Sequence, residues 1–92
     1  MTVFEPVFEA VRTIVERVAG ATRTPVDVGP ETRLQEGFWL DSIEMLEVVL
    51  ACEQHFGIVF DESRDLTPQS LATLDSLARL VSVRVSESSS SK

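Results

Sequence analysis

The sequence predicts an all-α fold, a small antiparallel bundle of three main helices plus one short helix, with a long first loop. Three observations support this fold class. Apolar residues recur every three or four positions in the first segment, a capping motif opens a second apolar segment, and leucines recur through a third. Strand signals are weak, and residues 57–60 are the single candidate for a strand.

The first helix is predicted over residues 3–18, because its apolar side chains fall on one face and Gly20 follows the last of them. Residues 20–40 are rich in glycine and proline, which predicts a long loop with at most a short turn around residues 31–34. Four apolar residues of this loop are expected to tie it to the core: Val26, Val28, Leu34 and Phe38.

A capping box predicts where the second helix begins. Asp41 is the expected N-cap residue, and Glu44 follows three positions later, where its side chain can bond back to the Asp41 backbone. The helix is predicted to run to about Phe56 and to stop at Gly57. A short helical turn is predicted over residues 61–66.

The last helix is predicted to begin after Thr67 as N-cap, with Pro68 in the first helical position. Its apolar pattern continues to Val81. The length of 92 residues suits one domain, predicted over residues 1–85. The serine-rich residues 86–92 are predicted to form a disordered tail.

Composition disfavours several kinds of site. One cysteine, Cys52, and one histidine cannot form an intrachain disulfide or a structural zinc set, so no metal site is expected. Cys52 is interpreted as a buried apolar residue. No basic signal region and no membrane-length apolar run is found, so the protein is expected to be cytoplasmic and without membrane contact.

The net charge of −7 is concentrated in one segment. Residues 36–65 contain eight acidic residues and one basic residue, Arg64, whereas the charges balance over the rest of the chain. Such a field repels nucleic acid and attracts basic protein surfaces. A solvated acidic face without a partner is the alternative interpretation.

The second helix is apolar on two sides. The stripe expected to face the core consists of four residues: Met45, Val48, Cys52 and Phe56. A second stripe, called here the outer stripe, consists of Ile43, Leu46 and Leu50. Three acids border it: Glu44, Glu47 and Glu53. The outer stripe is either a docking surface for a partner or a face that the long loop covers.

Residues 39–58, WLDSIEMLEVVLACEQHFGI, resemble the modification site and second helix of acyl carrier proteins. The shared pattern is an Asp-Ser-Ile step at residues 41–43, then alternating acids and aliphatic residues, then Glu-x-x-Phe-Gly-Ile from Glu53. The predicted order of helices matches the family layout as well, over about residues 3–83.

The resemblance implies a stand-alone carrier protein that is not itself an enzyme. Ser42 would hold 4′-phosphopantetheine donated by coenzyme A, with Asp41 as the helix cap beside it, and the arm would bear cargo as a thioester. The implied partners are a phosphopantetheinyl transferase and acyltransferases, ketosynthases or adenylating or ligating enzymes with basic docking surfaces. They would dock on the outer stripe and its bordering acids, and the carrier is expected to be a monomer.

Trp39 departs from the family pattern, because acyl carrier proteins commonly have glycine two positions before the Asp. The departure favours a dedicated polyketide or related secondary-metabolite pathway over common fatty-acid synthesis. Trp39 is expected to contact the arm or a partner, or alternatively to close the core as a loop aromatic.

A helical protein-interaction domain without a prosthetic group is the alternative function. It accounts equally well for an acidic, partly apolar surface, but it does not account for the Asp-Ser step at the start of the second helix. An enzyme is disfavoured because a small bundle without a pocket motif offers no site. The negative charge disfavours a helix-turn-helix DNA-binding protein.

Overall fold

The structure, a computed structural model, describes residues 4–90, with side chains to residue 87. This range consists of helices and the turns and loops between them. Within these residues there are four helices: α1 (Phe4–Ala19), α2 (Ser42–Phe56), α3 (Glu62–Asp65) and α4 (Leu74–Ser90). Helix α1 packs against both α2 and α4. No strand forms in the described range, and residues 57–60 are not one, so the all-α prediction is confirmed.

Helix α2 has the bounds that the sequence predicts. It begins at Ser42, directly after Asp41, and ends at Phe56. Gly57 has a left-handed backbone with φ of 66°, and its N–H donates to the Glu53 carbonyl. Because a residue without a β-carbon adopts this conformation readily, Gly57 stops the helix where the apolar pattern ends.

The long loop is anchored by backbone pairing with the segment before α4. The Leu34 N–H donates to the Ala72 carbonyl at 3.0 Å, and the Leu74 N–H donates to the Thr32 carbonyl at 3.0 Å. These bonds satisfy backbone groups that would otherwise be unpaired, which makes a loop of this length compatible with a small domain.

The apolar residues of the loop follow the prediction in part. Leu34 and Phe38 are fully buried, and Val28 packs against the core from a half-buried position. The prediction for Val26 is wrong, because this side chain is fully exposed. The backbone bonds to the α4 segment begin only at residue 30, so Val26 lies in the part of the loop that they do not hold. Leu40 joins the core instead.

The predicted start of the last helix is wrong. Thr67 caps a single turn, with its hydroxyl accepting the Ser70 N–H at 3.1 Å, but this turn does not continue. The next residues pair with the long loop through a bridge between Arg33 and Thr73, which diverts the backbone from helical geometry. Helix α4 therefore begins at Leu74, with Thr73 as its cap. The Thr73 hydroxyl accepts from the Ser76 N–H at 3.1 Å. In return, the Ser76 hydroxyl accepts from the Thr73 N–H at 3.0 Å.

A buried ion pair joins α3 to α4. The Asp65 carboxylate accepts from Arg84 at 2.6 Å and from the Asp61 N–H at 2.8 Å, and the Asp65 side chain is buried. These bonds lower the pKa of Asp65, with the Arg84 contact as the main cause.

Helix α4 continues to Ser90, beyond the predicted domain boundary at residue 85. The division into a domain and a tail stays a prediction, and residues 91–92 lie outside the described residues.

Cys52 lies in the core on the inner side of α2, as predicted, and is fully buried. Burial raises the pKa of its thiol from the ordinary 9.0 to about 12, and the nearby charge of Glu53 acts in the same direction. Because the thiolate is the reactive form, this thiol is inert while the domain is folded.

We expect native protein to react slowly with a thiol reagent and the denatured chain to react fast, measured side by side at one pH. Cys52→Ala should lower the free energy of unfolding by about 1–2 kcal/mol, because it removes a buried group. Labelling of the native protein at the rate of the denatured chain would contradict the burial of Cys52.

Candidate functional site: the start of helix α2

Ser42 is the first residue of α2, and its side chain is exposed. Asp41 occupies the N-cap position, where its carboxylate accepts from the Glu44 N–H at 2.8 Å. The Glu44 carboxylate accepts from the Asp41 N–H at 3.2 Å, which completes the predicted capping box. Because Asp41 caps the helix, the Ser42 hydroxyl is left for other chemistry at a helix N-terminus, where N–H groups and the helix dipole favour an anion.

Arg23, in the long loop, connects this site to the rest of the bundle. Its two Nη atoms donate to the two carboxylate oxygens of Glu44, at 2.7 and 2.5 Å. Its Nε donates to the Ala19 carbonyl at the end of α1, at 3.0 Å, and Nη1 also donates to the Trp39 carbonyl, at 3.2 Å. The sequence offers no local signal for Arg23, because Glu44 is 21 residues away. One side chain thus joins the end of α1, the end of the loop and the start of α2.

The contact with Arg23 changes the electrostatic role of Glu44. The pKa of Glu44 is lowered from the ordinary 4.5 to about 2, mainly because Arg23 bonds to the carboxylate and also because the Asp41 N–H does. The same contact raises the pKa of Arg23. Glu44, predicted to border a docking surface, therefore has its counter-ion within the chain.

Trp39 has an unusual backbone. Among the described residues it is the one residue other than glycine with a positive φ, at 58°. This left-handed conformation costs about 1–2 kcal/mol for a residue with a β-carbon, whereas glycine adopts it readily. Trp39 is 66% exposed, so its interpretation as a core-closing aromatic is wrong.

The outer stripe of α2 is open to solvent. Ile43, Leu46 and Leu50 are 70%, 53% and 47% exposed, whereas Met45 and Val48 of the inner stripe are buried. The alternative that the long loop covers the outer stripe is therefore wrong. An exposed apolar strip along one helix is typical of a surface that meets another molecule.

The acids near the outer stripe fall into two groups. Glu53 accepts the Phe60 N–H at 2.8 Å, so it holds the segment after α2. Glu44 is bound by Arg23, as described above. Glu47 is exposed, and no hydrogen bond or ion pair engages it among the described side chains. Of the three bordering acids, Glu47 presents its charge outward without an internal partner.

A cleft of about 530 Å³ opens beside Ser42. Helix α2 forms one wall and the turn between α3 and α4 forms the other, and both walls are mainly apolar. The apolar lining consists of seven residues: Met45, Leu46, Val49, Leu66, Pro68, Leu71 and Ala72. Five polar residues also line it, three of them from the long loop: Arg33, Gln35, Glu36, Ser42 and Thr67. A group attached at Ser42 would therefore start at the edge of an apolar space.

Among the described residues, no group of three or more His, Cys, Asp or Glu side chains is placed to hold a metal ion. None of the helices within residues 4–90 combines the length and the hydropathy needed to cross a bilayer.

A protein-family model described as a phosphopantetheine attachment site matches residues 9–81. The matched range includes the last two thirds of α1, the long loop, all of α2 and α3, and the first half of α4. Searches of curated proteins and of solved structures found no match.

The Arg23–Glu44 contact predicts a pH dependence of stability. Because the pKa of Glu44 is lower in the folded protein, its contribution is complete above pH 4.5 and is lost as the pH falls towards 2. Between these values we expect the free energy of unfolding to fall less steeply in Glu44→Gln than in wild type, measured by urea titration. Asp65 is retained in both proteins, so the difference isolates Glu44.

Glu47→Gln is the matched control, because it removes a carboxylate of α2 that has no internal partner. Its plot of the free energy of unfolding against pH should run parallel to that of wild type. If the plot for Glu44→Gln also ran parallel to that of wild type, the contact with Arg23 would not stabilise the fold.

Proposed function

Because the chain belongs to the phosphopantetheine-attachment family of acyl-carrier-type proteins, we propose that Ser42 Oγ is its attachment atom and that the chain presents bound intermediates to partner enzymes. One observation supports this choice above all. Ser42 is exposed at the first position of α2, while Asp41 performs the capping that a serine could otherwise perform.

The residues around Ser42 suit 4′-phosphopantetheine, the group that this family attaches. A phosphodiester on Ser42 would lie at the positive end of α2, where the first N–H groups of the helix have no partner within it. In the loading reaction, Ser42 Oγ loses its proton and bonds to the phosphorus of the arm, while the bond from that phosphorus to the rest of coenzyme A breaks and adenosine bisphosphate leaves. The attached arm supplies a thiol that holds cargo as a thioester.

The cleft beside Ser42 supports an acyl cargo. Its volume of about 530 Å³ falls within the range of small-molecule sites, roughly 300–1,000 Å³. Both walls are mainly apolar, so an aliphatic chain could leave water there. The cleft is open on one side, which would let the cargo return to a partner enzyme.

Partner enzymes are proposed to dock on the outer stripe, with Glu47 as the charged contact. The stripe offers a small apolar surface, and Glu47 offers a charge that steers a basic surface towards it. This combination suits a carrier that must meet several enzymes and leave each of them. Glu44 contributes less, because Arg23 already neutralises it.

A polyketide or related secondary-metabolite pathway is the proposed setting. The support is Trp39, which occupies a left-handed position that suits glycine. A tryptophan in a backbone conformation that favours glycine suits a carrier with dedicated partners. Intact-mass measurement after co-expression with the native pathway would weigh the arm and its cargo together and would identify the class of cargo.

Modification of Ser42 is the primary test. Incubation with coenzyme A and a broad-specificity phosphopantetheinyl transferase should add the mass of one arm to wild type and nothing to Ser42→Ala. Ser63→Ala is the control, because Ser63 is also an exposed serine in the first turn of a helix capped by Asp, two positions after Asp61, and this variant should load normally. Folded wild-type protein that takes up no arm from either of two transferases would favour the protein-interaction alternative.

Docking on the outer stripe is tested by transfer rates with a cognate partner. Glu47→Arg should lower kcat/KM roughly tenfold through KM, since it reverses a charge at the contact. Leu50→Ala should weaken transfer while leaving the fold intact, because Leu50 is half exposed. Raising the salt concentration should weaken association of wild type, because exposed charges are screened over about 8–10 Å.

The control is Glu9→Arg, a charge reversal at an exposed position of α1, which should change the transfer rate little. Wild-type transfer rates for both Glu47→Arg and Leu50→Ala would place the docking surface elsewhere on the carrier.

A further inference from the structure

Trp39 is not explained by the packing of the domain. Its neighbours Phe38 and Leu40 are both buried, so the chain alternates inward, outward and inward, and the indole ring of Trp39 is turned to solvent. The ring therefore buries little area in the fold, while its β-carbon occupies a left-handed backbone. Both features disfavour tryptophan at this position.

The contacts that hold this turn do not involve the indole ring. The Leu40 N–H donates to the Leu34 carbonyl at 3.3 Å, and the Trp39 carbonyl accepts from Arg23 at 3.2 Å. Both bonds are made by main-chain groups of residues 39 and 40, so they do not depend on the indole ring. The indole ring is therefore not needed to form this turn. A strained backbone at an exposed residue points to a role for the side chain outside the fold.

We propose that Trp39 is an anchor for the phosphopantetheinyl transferase that loads Ser42, and that its ring enters an apolar pocket of that enzyme. The proposal rests on Ser42 being the attachment residue. Among possible partners, the transferase is the one that must bring its reacting atoms to Ser42 Oγ itself. Enzymes that act on the cargo reach it at the far end of the arm, so their reaction does not require contact with Ser42 itself.

Trp39 lies within the reach of a transferase of ordinary footprint. Trp39 and Ser42 are three residue steps apart, and a fully extended chain of that length spans at most about 11 Å. An interface of standard size buries about 800 Å² on each partner, equivalent to a disc of roughly 16 Å radius. A footprint centred on Ser42 therefore includes Trp39.

The surroundings define the chemistry of the complementary surface. Asp41 and Glu47 are exposed acids on the same end of α2 as Ser42. The enzyme should therefore carry an apolar pocket for an aromatic ring, bordered by Arg or Lys side chains. Tryptophan is suited to such an anchor, because exposed aromatic residues that enter a pocket dominate the affinity of many interfaces.

Loading kinetics test the proposal with two variants at the same position. Trp39→Gly removes the ring and relieves the left-handed backbone, so its melting temperature should equal or exceed that of wild type, while kcat/KM for arm transfer should fall about tenfold or more, mainly through KM. Trp39→Phe keeps an aromatic ring and should load within about threefold of wild type. A purely structural role would instead lower the melting temperature of Trp39→Gly.

Val59→Gly is the control for loss of an exposed apolar side chain. Val59 is exposed and follows the opposite end of α2 from Ser42, and a helix of 15 residues is about 22 Å long. Its kcat/KM for loading should equal that of wild type. A comparable loss in Val59→Gly would show that the effect is not specific to Trp39, and the proposal would then fail.

Fluorescence gives a direct reading of the contact, because the chain has one tryptophan and no tyrosine. Mixing apo-carrier with the transferase, without coenzyme A, should shift the Trp39 emission to shorter wavelength as the ring leaves water. The same mixture made with Trp39→Gly supplies the enzyme's own signal for subtraction.

Three results would overturn the proposal: unchanged emission on mixing, wild-type loading of Trp39→Gly, or a blue shift that appears in the loaded carrier alone, which would place the ring against the arm. Each is distinct from failure of the proposed function, which would appear as absence of loading in wild type.

Discussion

The guanidinium group of Arg23 joins the start of α2 to the end of α1. It binds the Glu44 carboxylate with both Nη atoms and also satisfies carbonyls at the end of α1 and at Trp39. Such planar, charge-assisted contacts require a defined geometry, and lysine could not reproduce them. The left-handed Trp39, the cap residue Asp41 and Ser42 all lie at or beside the residues that Arg23 binds, Trp39 and Glu44.

The acidic segment of the chain serves two purposes that its composition does not separate. Glu44, Glu53 and Asp65 bind groups inside the domain, where they hold α2, the segment after it and α3 in place. Glu47 faces outward without an internal partner. Part of the negative charge therefore serves to stabilise the fold. The electrostatic field available to a partner is smaller than the formal charge suggests.

What the sequence could predict depended on the range of each interaction. The bounds of α2 were predictable because the capping box and Gly57 act within a few residues. The start of α4 was not, because the pairing of Arg33 with Thr73 joins distant segments. Arg23 was missed for the same reason. Periodicity revealed both stripes of α2, but it could not show which one the loop leaves exposed, since that depends on packing.

The two stripes of helix α2 differ in burial, although Met45 and Leu46 both line the cleft, and this difference has an evolutionary consequence. Substitutions on the buried stripe cost about 2–5 kcal/mol when a large side chain is lost, whereas surface changes usually stay within about 0.5 kcal/mol. Selection on foldability therefore restrains one side of the helix and leaves the other free to vary. A gene of this kind can be duplicated and diverge towards new enzymes through the outer residues alone, while its descendants inherit an unchanged scaffold.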